Sequence, residues 1–270
     1  MGGKASGTEA GSSRLNAFSL DGKVALITGG GRGIGATIAR VFSDAGAAVA
    51  VTARTASEVE AVASEIEGAG GRAIAIPADL FAVDQLPRII DRTVAAFGGI
   101  DVLVNNAGAG GSPPFVDTRI EDLERSFHLM VAVPFELARL ALPSMLERPG
   151  ASIINMTSVG AYRSTRGNLA HHTAKGALAQ LTRLMAADLG PRIRVNALVP
   201  GAVETPGLHE VLEQRAPEMR QLIIDRTRLR RTGTPEDVAY AAVYLASPAA
   251  SWVTGTLLDI NGGLDRKSVV

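Results

Sequence analysis

The sequence predicts an α/β protein built on a doubly wound parallel sheet of about seven strands flanked by helices, and three observations carry that prediction. A glycine turn, Thr28-Gly29-Gly30-Gly31-Arg32-Gly33-Ile34-Gly35, joins the apolar, β-prone run Val24–Ile27 to a helical pattern with apolar residues at Ile34, Ile38, Val41 and Phe42. Short apolar strands then alternate with helical segments along the chain, the order that gives a parallel sheet with right-handed crossovers. The unusual loops all fall at the carboxyl ends of strands, where such sheets bind ligands.

The elements follow in order. After the first strand–turn–helix unit comes strand Ala48–Thr52, ending at Ala53-Arg54, and a helix from about Ala56 to Glu67 that Gly68-Ala69-Gly70-Gly71 stops. Strand Ala73–Ile76 leads into Pro77-Ala78-Asp79-Leu80, and a helix spans about Val83 to Phe97. Strand Asp101–Val104 runs into Asn105-Asn106-Ala107-Gly108, and one long helix is expected from about Ile120 to Leu146. Strand Ala151–Met156, a helix over about Leu169–Leu189 and strand Ile193–Leu198 continue the alternation. Thr205–Arg231 breaks it with mixed charge and lost periodicity between Pro206 and Gly233; it reads as a substrate lid over residues 204–232, a plain surface excursion being the alternative. Thr234 caps a helix beginning Pro235-Glu236-Asp237, and a last strand, Thr256–Ile260, ends at Asn261-Gly262-Gly263.

Composition bounds the class. The 270 residues are 46% hydrophobic and 20% charged, which suits one α/β domain with a substantial core. Residues 1–18 read as a disordered tail rich in Gly, Ser and Ala, and residues 19–270 as the single domain. A formal net charge of zero gives no nucleic-acid footprint, so no nucleic-acid partner is expected. The absence of cysteine removes disulfides, thiolate metal sites and a cysteine nucleophile together, and no metal site is expected. No uninterrupted apolar run reaches the length of a membrane span and no leader pattern opens the chain, so the expectation is a cytoplasmic protein without a membrane partner.

A strand that turns on glycines into a helix aims unpaired backbone N–H groups and the positive end of the helix dipole at one point, and a pyrophosphate fits that point. The glycines permit the tight turn, the approach of the phosphate and the close packing of helix on strand. Gly29, Arg32, Gly33, Ile34 and Gly35 are the candidate phosphate-side residues. This is the signature of a Rossmann fold.

Together the motifs resemble the short-chain dehydrogenase/reductase family, in its 3-oxoacyl-ACP reductase-like and hydroxysteroid dehydrogenase-like branches, over roughly Leu20 to Gly263. The resemblance rests on T-G-x-x-x-G-I-G at 28–35, Asp79-Leu80, N-N-A-G at 105–108, Ser158, Lys175, Arg194-Val195-Asn196, Pro200-Gly201-Ala202-Val203-Glu204-Thr205 and Asn261-Gly262-Gly263. It implies that Asp79 and Leu80 hold an adenine and that Asn106, Ala107 and Gly108 line the floor below the adenosine ribose. Pro200, Gly201, Val203 and Thr205 would border the nicotinamide, with Val203 and Thr205 on its amide. It further implies a small-molecule substrate and a homotetramer or homodimer.

The phosphate preference follows from charge. NAD-selective sites carry a carboxylate at the end of the second strand to accept from the ribose hydroxyls. Ala53-Arg54 occupies that place, and Arg32 sits in the glycine turn. Guanidiniums bind a 2′-phosphate and cannot accept from a hydroxyl. NADP(H) is therefore the expected cofactor, ahead of NAD(H).

Two positions depart from the family pattern. The family's proton-donating tyrosine stands four residues before its lysine; here that place is His171, within His171-His172-Thr173-Ala174-Lys175 and thirteen residues after Ser158, the usual separation. The family's asparagine on the long helix aligns with Met130. Imidazole has an ordinary pKa of about 6.5, and a cationic lysine nearby favours its neutral form, a weak acid that still donates a hydrogen bond. Pro134 lacks the N–H that would bond the Met130 carbonyl in an α-helix, so that carbonyl stays open to hold a water; a simple kink with Met130 as core filler is the other reading. Tyr162, four residues after Ser158, is a candidate pocket wall and an alternative acid.

The expected activity is thus an atypical NADP(H)-dependent oxidoreductase on a carbonyl/alcohol pair of a small or hydrophobic substrate, with Ser158, His171 and Lys175 as catalytic candidates. The alternatives are an enoyl- or dienoyl-type C=C reductase, and a non-redox lyase, isomerase or cofactor-binding protein on the same scaffold.

Overall fold

The computed structural model describes residues 14–108, 110–111, 113–164, 167–210, 212 and 218–264. Seven strands form one all-parallel sheet in the order β3-β2-β1-β4-β5-β6-β7. They are β1 (Val24–Thr28), β2 (Ala48–Ala53), β3 (Arg72–Pro77), β4 (Val102–Asn105), β5 (Ser152–Met156), β6 (Arg194–Pro200) and β7 (Leu257–Ile260). The strand order reverses between β1 and β4, so their carboxyl ends diverge and open a crevice. β1, β4 and β5 are buried throughout, which is why they read as continuous rather than alternating apolar runs.

Helices cover both faces. α1 (Gly33–Asp44), α2 (Ala56–Gly68) and a later helix over Pro235–Ala246 share one core, centred on Ile38, Phe42, Val59 and Leu245 with β-strand residues such as Val49 and Val104. α3 (Leu86–Phe97) and the helices that follow β4 and β5 share the other, centred on Leu86, Ile89, Leu103, Leu137 and Ile153. Apolar burial on both faces of a parallel sheet is the main stabilising term of such a fold.

The element boundaries correct three expectations. The expected tail ends earlier than residue 18: Arg14–Phe18 form a 3₁₀ turn, and the Phe18 ring meets Tyr244 at 6.2 Å between centroids, an apolar contact that the composition of the tail concealed. Residues 1–13 and 265–270 lie outside the described residues. The helix expected from Val83 begins as a 3₁₀ turn, Val83–Gln85, before α3 starts with Pro87 in its first turn.

The third correction matters for the site. The single long helix after β4 is instead α4 (Ile120–Phe127), a π-helical turn (His128–Ala132) and α5 (Val133–Leu146). The N–H of Val133 donates to the His128 carbonyl, one residue further than an α-helix allows. Pro134 follows at once, so the widened turn absorbs the place where a donor is missing. By length and composition the whole run Ile120–Leu146 is apolar enough to cross a membrane, yet the Glu136–Arg139 ion pair interrupts it and Met130, Val133, Leu137, Ala141 and Met145 are packed in the core.

α6 (Leu169–Leu189) follows β5, and the lid expected after β6 contains α7 (Pro206–Glu210) and α8 (Glu218–Arg226) among its described residues. Glu204 tethers it: its carboxylate accepts from Thr232 Oγ1 at 2.8 Å and Arg220 Nη1 at 2.7 Å, and these bonds hold it below the usual carboxylate range. α9 (Pro235–Ala246) starts with a capping box in which Thr234 Oγ1 accepts from Asp237 N and Asp237 accepts from Thr234 N.

Candidate active site

The glycine turn after β1 is shaped by neighbours that leave no room for side chains. Gly29 and Gly33 adopt φ of +63° and +56°, and a Cβ on Gly35 would overlap the Gly29 carbonyl. Thr28 Oγ1 accepts from the N–H groups of Asn106 and Ala107 at 3.0 Å each, while Asn106 Nδ2 donates to the carbonyls of Thr28 and Gly29. The loops after β1 and β4 are thereby locked to each other across the crevice. Thr205, from the loop after β6, closes the far side: a Cβ on Gly33 would lie 3.3 Å from its methyl. The start of α1, with Ile34 and Gly35, is left facing this cradle, which fits a pyrophosphate.

At the end where an adenosine is expected, Asp79 Oδ1 accepts from Phe81 N and Leu80 is buried, which fixes the loop after β3. Arg32 and Arg54 are both exposed. One residue was not anticipated. Glu58, in the first turn of α2, folds back over the glycine turn, so that a Cβ on Gly31 would meet its Cβ at 2.9 Å and its Oε2 at 3.1 Å. The position expected to lack an acid at the end of β2 thus receives a carboxylate from five residues further on. In the sequence Glu58 looks like an ordinary acid at a helix N-terminus.

The reactive end gathers around Gly108. Lys175 is buried on α6, and its ammonium donates to the Met156 carbonyl at 2.6 Å. Burial pushes its pKa down to about 8. A Cβ on Gly108 would lie 3.5 Å from Lys175 Nζ and 3.7 Å from Met130 Sδ, so the thioether and the ammonium both face the ribose-floor loop. Ser158 is half-buried just beyond β5, its Oγ accepting from Gly160 N at 3.1 Å. His171 is half-buried one helical turn before Lys175 and on the same face of α6. The His171 and His172 rings stand 5.7 Å apart. Pro200 ends β6, and Gly201 and Val203 continue beyond it; Val203 bridges to Gly233. Beside them a cavity of about 430 Å³ opens at the carboxyl ends of β6 and β7, bordered by Gly201, Val203, Arg228 and Asn261.

Tyr162 is placed differently from the expectation of a free acid on the pocket wall. Its hydroxyl donates to the Asp259 carboxylate and accepts from Asn261 Nδ2 at 3.1 Å, binding the Ser158 loop to β7. The phenolic proton is directed at the Asp259 carboxylate.

A dinucleotide cradle at the strand-order reversal, with a serine and a buried lysine at its reactive end, defines a nicotinamide-dependent oxidoreductase. The chain belongs to the short-chain dehydrogenase/reductase family: the family profile described as Enoyl-(Acyl carrier protein) reductase matches residues 29–265. It is 41% identical over 245 residues to the 7alpha-hydroxysteroid dehydrogenase of Escherichia coli (strain K12), covering 90% of this chain and 94% of that protein. The fold matches a 7 alpha-hydroxysteroid dehydrogenase complexed with NADH and 7-oxo glycochenodeoxycholic acid with a TM-score of 0.90 at 39% identity, covering 95% of this chain and 99% of the other. It also matches a gluconate 5-dehydrogenase-like protein of Beutenbergia cavernae with NADP bound at low occupancy, with a TM-score of 0.86 at 34% identity over 92% and 98% of the two chains.

Proposed function

We propose that the protein is an NADP(H)-dependent oxidoreductase that interconverts a carbonyl and its alcohol on a small or hydrophobic substrate. The carrying observation is the convergence of Lys175 Nζ on Gly108, beside the intact cradle and one helical turn from His171. When bound, the nicotinamide supplies or accepts the hydride. Ser158 Oγ orients the substrate oxygen by hydrogen bonding. His171 stands in the family's tyrosine position and donates its N–H to that oxygen, directly or through one water. Lys175, with a pKa of about 8, holds a proton weakly enough to resupply His171 near neutral pH. Met130 stands in the family's asparagine position, and the Met130 carbonyl, which Pro134 gives no N–H, offers an acceptor for a water in that relay.

Arg32 and Arg54 support NADP(H), because two cations at the ribose end outweigh one carboxylate against a doubly charged 2′-phosphate. Glu58 favours a second reading, NAD(H), since its carboxylate over Gly31 suits a ribose hydroxyl. Fluorescence titration of the apoprotein decides between them. The NADP(H) reading expects tighter NADPH than NADH binding in the wild type and a further gain for NADPH in Glu58→Gln; tighter NADH binding that Glu58→Gln abolishes establishes the second reading.

Turnover is tested by NADPH oxidation against a panel of ketones and enones, with His171→Tyr alongside. Ketone-dependent oxidation by the wild type is the expected result, and exclusive use of enones would replace carbonyl reduction with C=C reduction. Binding without turnover, together with ketone reduction by His171→Tyr, would show that the native site has left redox chemistry. We further propose that the exposed apolar side chains of α4, α5 and α6, with Tyr240 and Trp252, are contact faces for other copies of the chain.

A further inference from the structure

His172 stands beside the catalytic candidates without a part in the reading above. It follows His171 on α6, is half-buried, and holds its ring 5.7 Å from that of His171. Its other neighbour is the Ser158 turn. A Cβ built on Gly160 would lie 2.1 Å from His172 Cδ2, 2.6 Å from Nε2 and 2.9 Å from Cγ, so the imidazole fills the space where a side chain at position 160 would stand. The N–H of the same Gly160 donates to Ser158 Oγ at 3.1 Å. One residue thus rests on the imidazole through its Cα and holds the serine oxygen through its N–H. Further along, the turn is tied to β7, where the Tyr162 hydroxyl meets Asp259 and Asn261. The His172 ring is a wedge between α6 and a turn anchored at its other end.

A neutral ring suits that place and a charged one does not. Burial first, and then the Arg163 charge, hold His172 below the ordinary histidine range. Arg163 closes the same turn, its N–H donating to the Val159 carbonyl at 2.9 Å. From α6 itself come His171 and Lys175, both basic. β5 carries no charged residue, and Arg194 of β6 donates to the Ser247 and Val253 carbonyls. α4 and the π-helical turn, which also pack on α6, carry Glu121, Asp122, Glu124, Arg125 and His128, yet the charge that acts on His172 is that of Arg163. An imidazolium at this place meets a guanidinium with no paired carboxylate among the described residues, and it gains hydration by swinging out.

We propose that His172 is a positioning residue for Ser158: its neutral ring keeps the Gly160 N–H on the serine oxygen, and protonation drives the ring off and releases the turn. The turn is braced at neutral pH and let go as the pH falls below the ordinary histidine value of 6.5. The consequence for catalysis rests on the oxidoreductase reading, whereas the coupling of His172 to Gly160 does not.

The test reads the turn directly. The Gly160 amide of the full-length, isotope-labelled protein is followed by NMR from about pH 7.5 to about pH 4.5, with the ring protons of the four histidines, in wild type, His172→Phe and His172→Gln. The expected result is a Gly160 amide that moves with the midpoint of one histidine, the one missing from both variants, and that stays still in the variants. Either variant serves if the other fails to fold. A Gly160 amide that ignores pH in the wild type, or keeps its midpoint in the variants, overturns the proposal. In the kinetic arm, His172→Ala should lower kcat/KM for a ketone by about fivefold at neutral pH, the worth of one neutral hydrogen bond, and leave NADPH affinity unchanged. The wild type should lose kcat/KM on the acid side with the midpoint of His172, and His172→Phe should lack that limb. A limb that persists unchanged in His172→Phe belongs to His171 and overturns the catalytic role, and an equal loss of NADPH affinity in His172→Ala assigns His172 a general structural role instead. Absence of carbonyl turnover by the wild type, while the Gly160 amide still follows His172, would sink the oxidoreductase reading and leave the brace standing.

Discussion

Lys175 shows how one side chain couples stability to the site. Its ammonium is buried against the Met156 carbonyl, a position that the unfolded chain never imposes on it. Below about pH 8 both states carry the proton, and the folded state bears the cost of burying it. Between about 8 and the ordinary lysine value of 10.5 the folded protein releases the proton while the unfolded chain keeps it, so stability rises with pH across that window. The rise amounts to roughly 3 kcal/mol. Lys175→Met should lack it: in urea unfolding, the stability difference between wild type and variant should change by about that amount between pH 7.5 and pH 10.5 in favour of the wild type. A difference that stays constant with pH would show that the buried amine does not titrate there. In the proposed relay the same proton feeds the chemistry, and carbonyl reduction should then fall as pH rises through about 8, measured as kcat across pH with saturating cofactor. Other residues show where reading along the chain stops. Ser158, His171 and Lys175 were readable as candidates because motif spacing picks them out. Glu58 and Arg163 were not, because an acid in a helix's first turn and a lone arginine in a loop look like solvated surface until the fold lays one over Gly31 and buries the other.

At the scale of elements, strands and helices were readable because a parallel sheet buried on both faces writes continuous apolar runs between turn residues. The break between α4 and α5 was not, although Pro134 was visible, because apolar periodicity runs straight through Ile120–Leu146 and does not register one residue added to a turn. The capping box of α9 was half legible. Thr234 was expected as the cap, while the return bond from Asp237 and its bidentate pairing with Arg231, at 2.6 and 2.9 Å, required the fold. Arg231, followed by the Thr234 backbone N–H, holds the Asp237 carboxyl down at about 2. That depression contributes stability above the ordinary aspartate value of 3.8, and the contribution is lost as pH falls toward 2. Asp237→Asn should therefore cost on the order of 1 kcal/mol at pH 7, the usual worth of a cap, since the ion pair itself is largely solvent-screened. Denaturant unfolding at pH 7 and pH 4 measures it. The cost should begin to shrink at the lower pH, and an equal cost at both would assign the effect to packing.

On the scale of the whole molecule, the apolar content exceeds what one chain buries. Phe115 and Val116 are 77% and 84% exposed ahead of α4, Phe135 is half-exposed on α5, and Leu184 is half-exposed on α6. Within Ile120–Leu146, Ile120, Phe127, Phe135 and Leu146 add apolar side chains to the solvent side, beside charged residues such as Glu124 and Arg125, while the other side serves the core. A second set lies elsewhere, with Tyr240 on α9, the fully exposed Trp252, and β7, which among the described residues pairs only with β6 and so leaves an open sheet edge. Two separate self-complementary faces, each making a two-fold contact, generate a closed tetramer, whereas either face alone gives a dimer. The expected outcome in sedimentation velocity is thus a tetramer for the wild type and a dimer for either Phe135→Glu or Trp252→Glu. A monomer should appear when the two changes are combined. Because both side chains are exposed, neither change burdens the core, and unfolding midpoints measured on the separated species show whether loss of assembly, rather than loss of folding, produced the smaller particle. A wild type that sediments as a monomer at micromolar concentration would remove both faces as contacts.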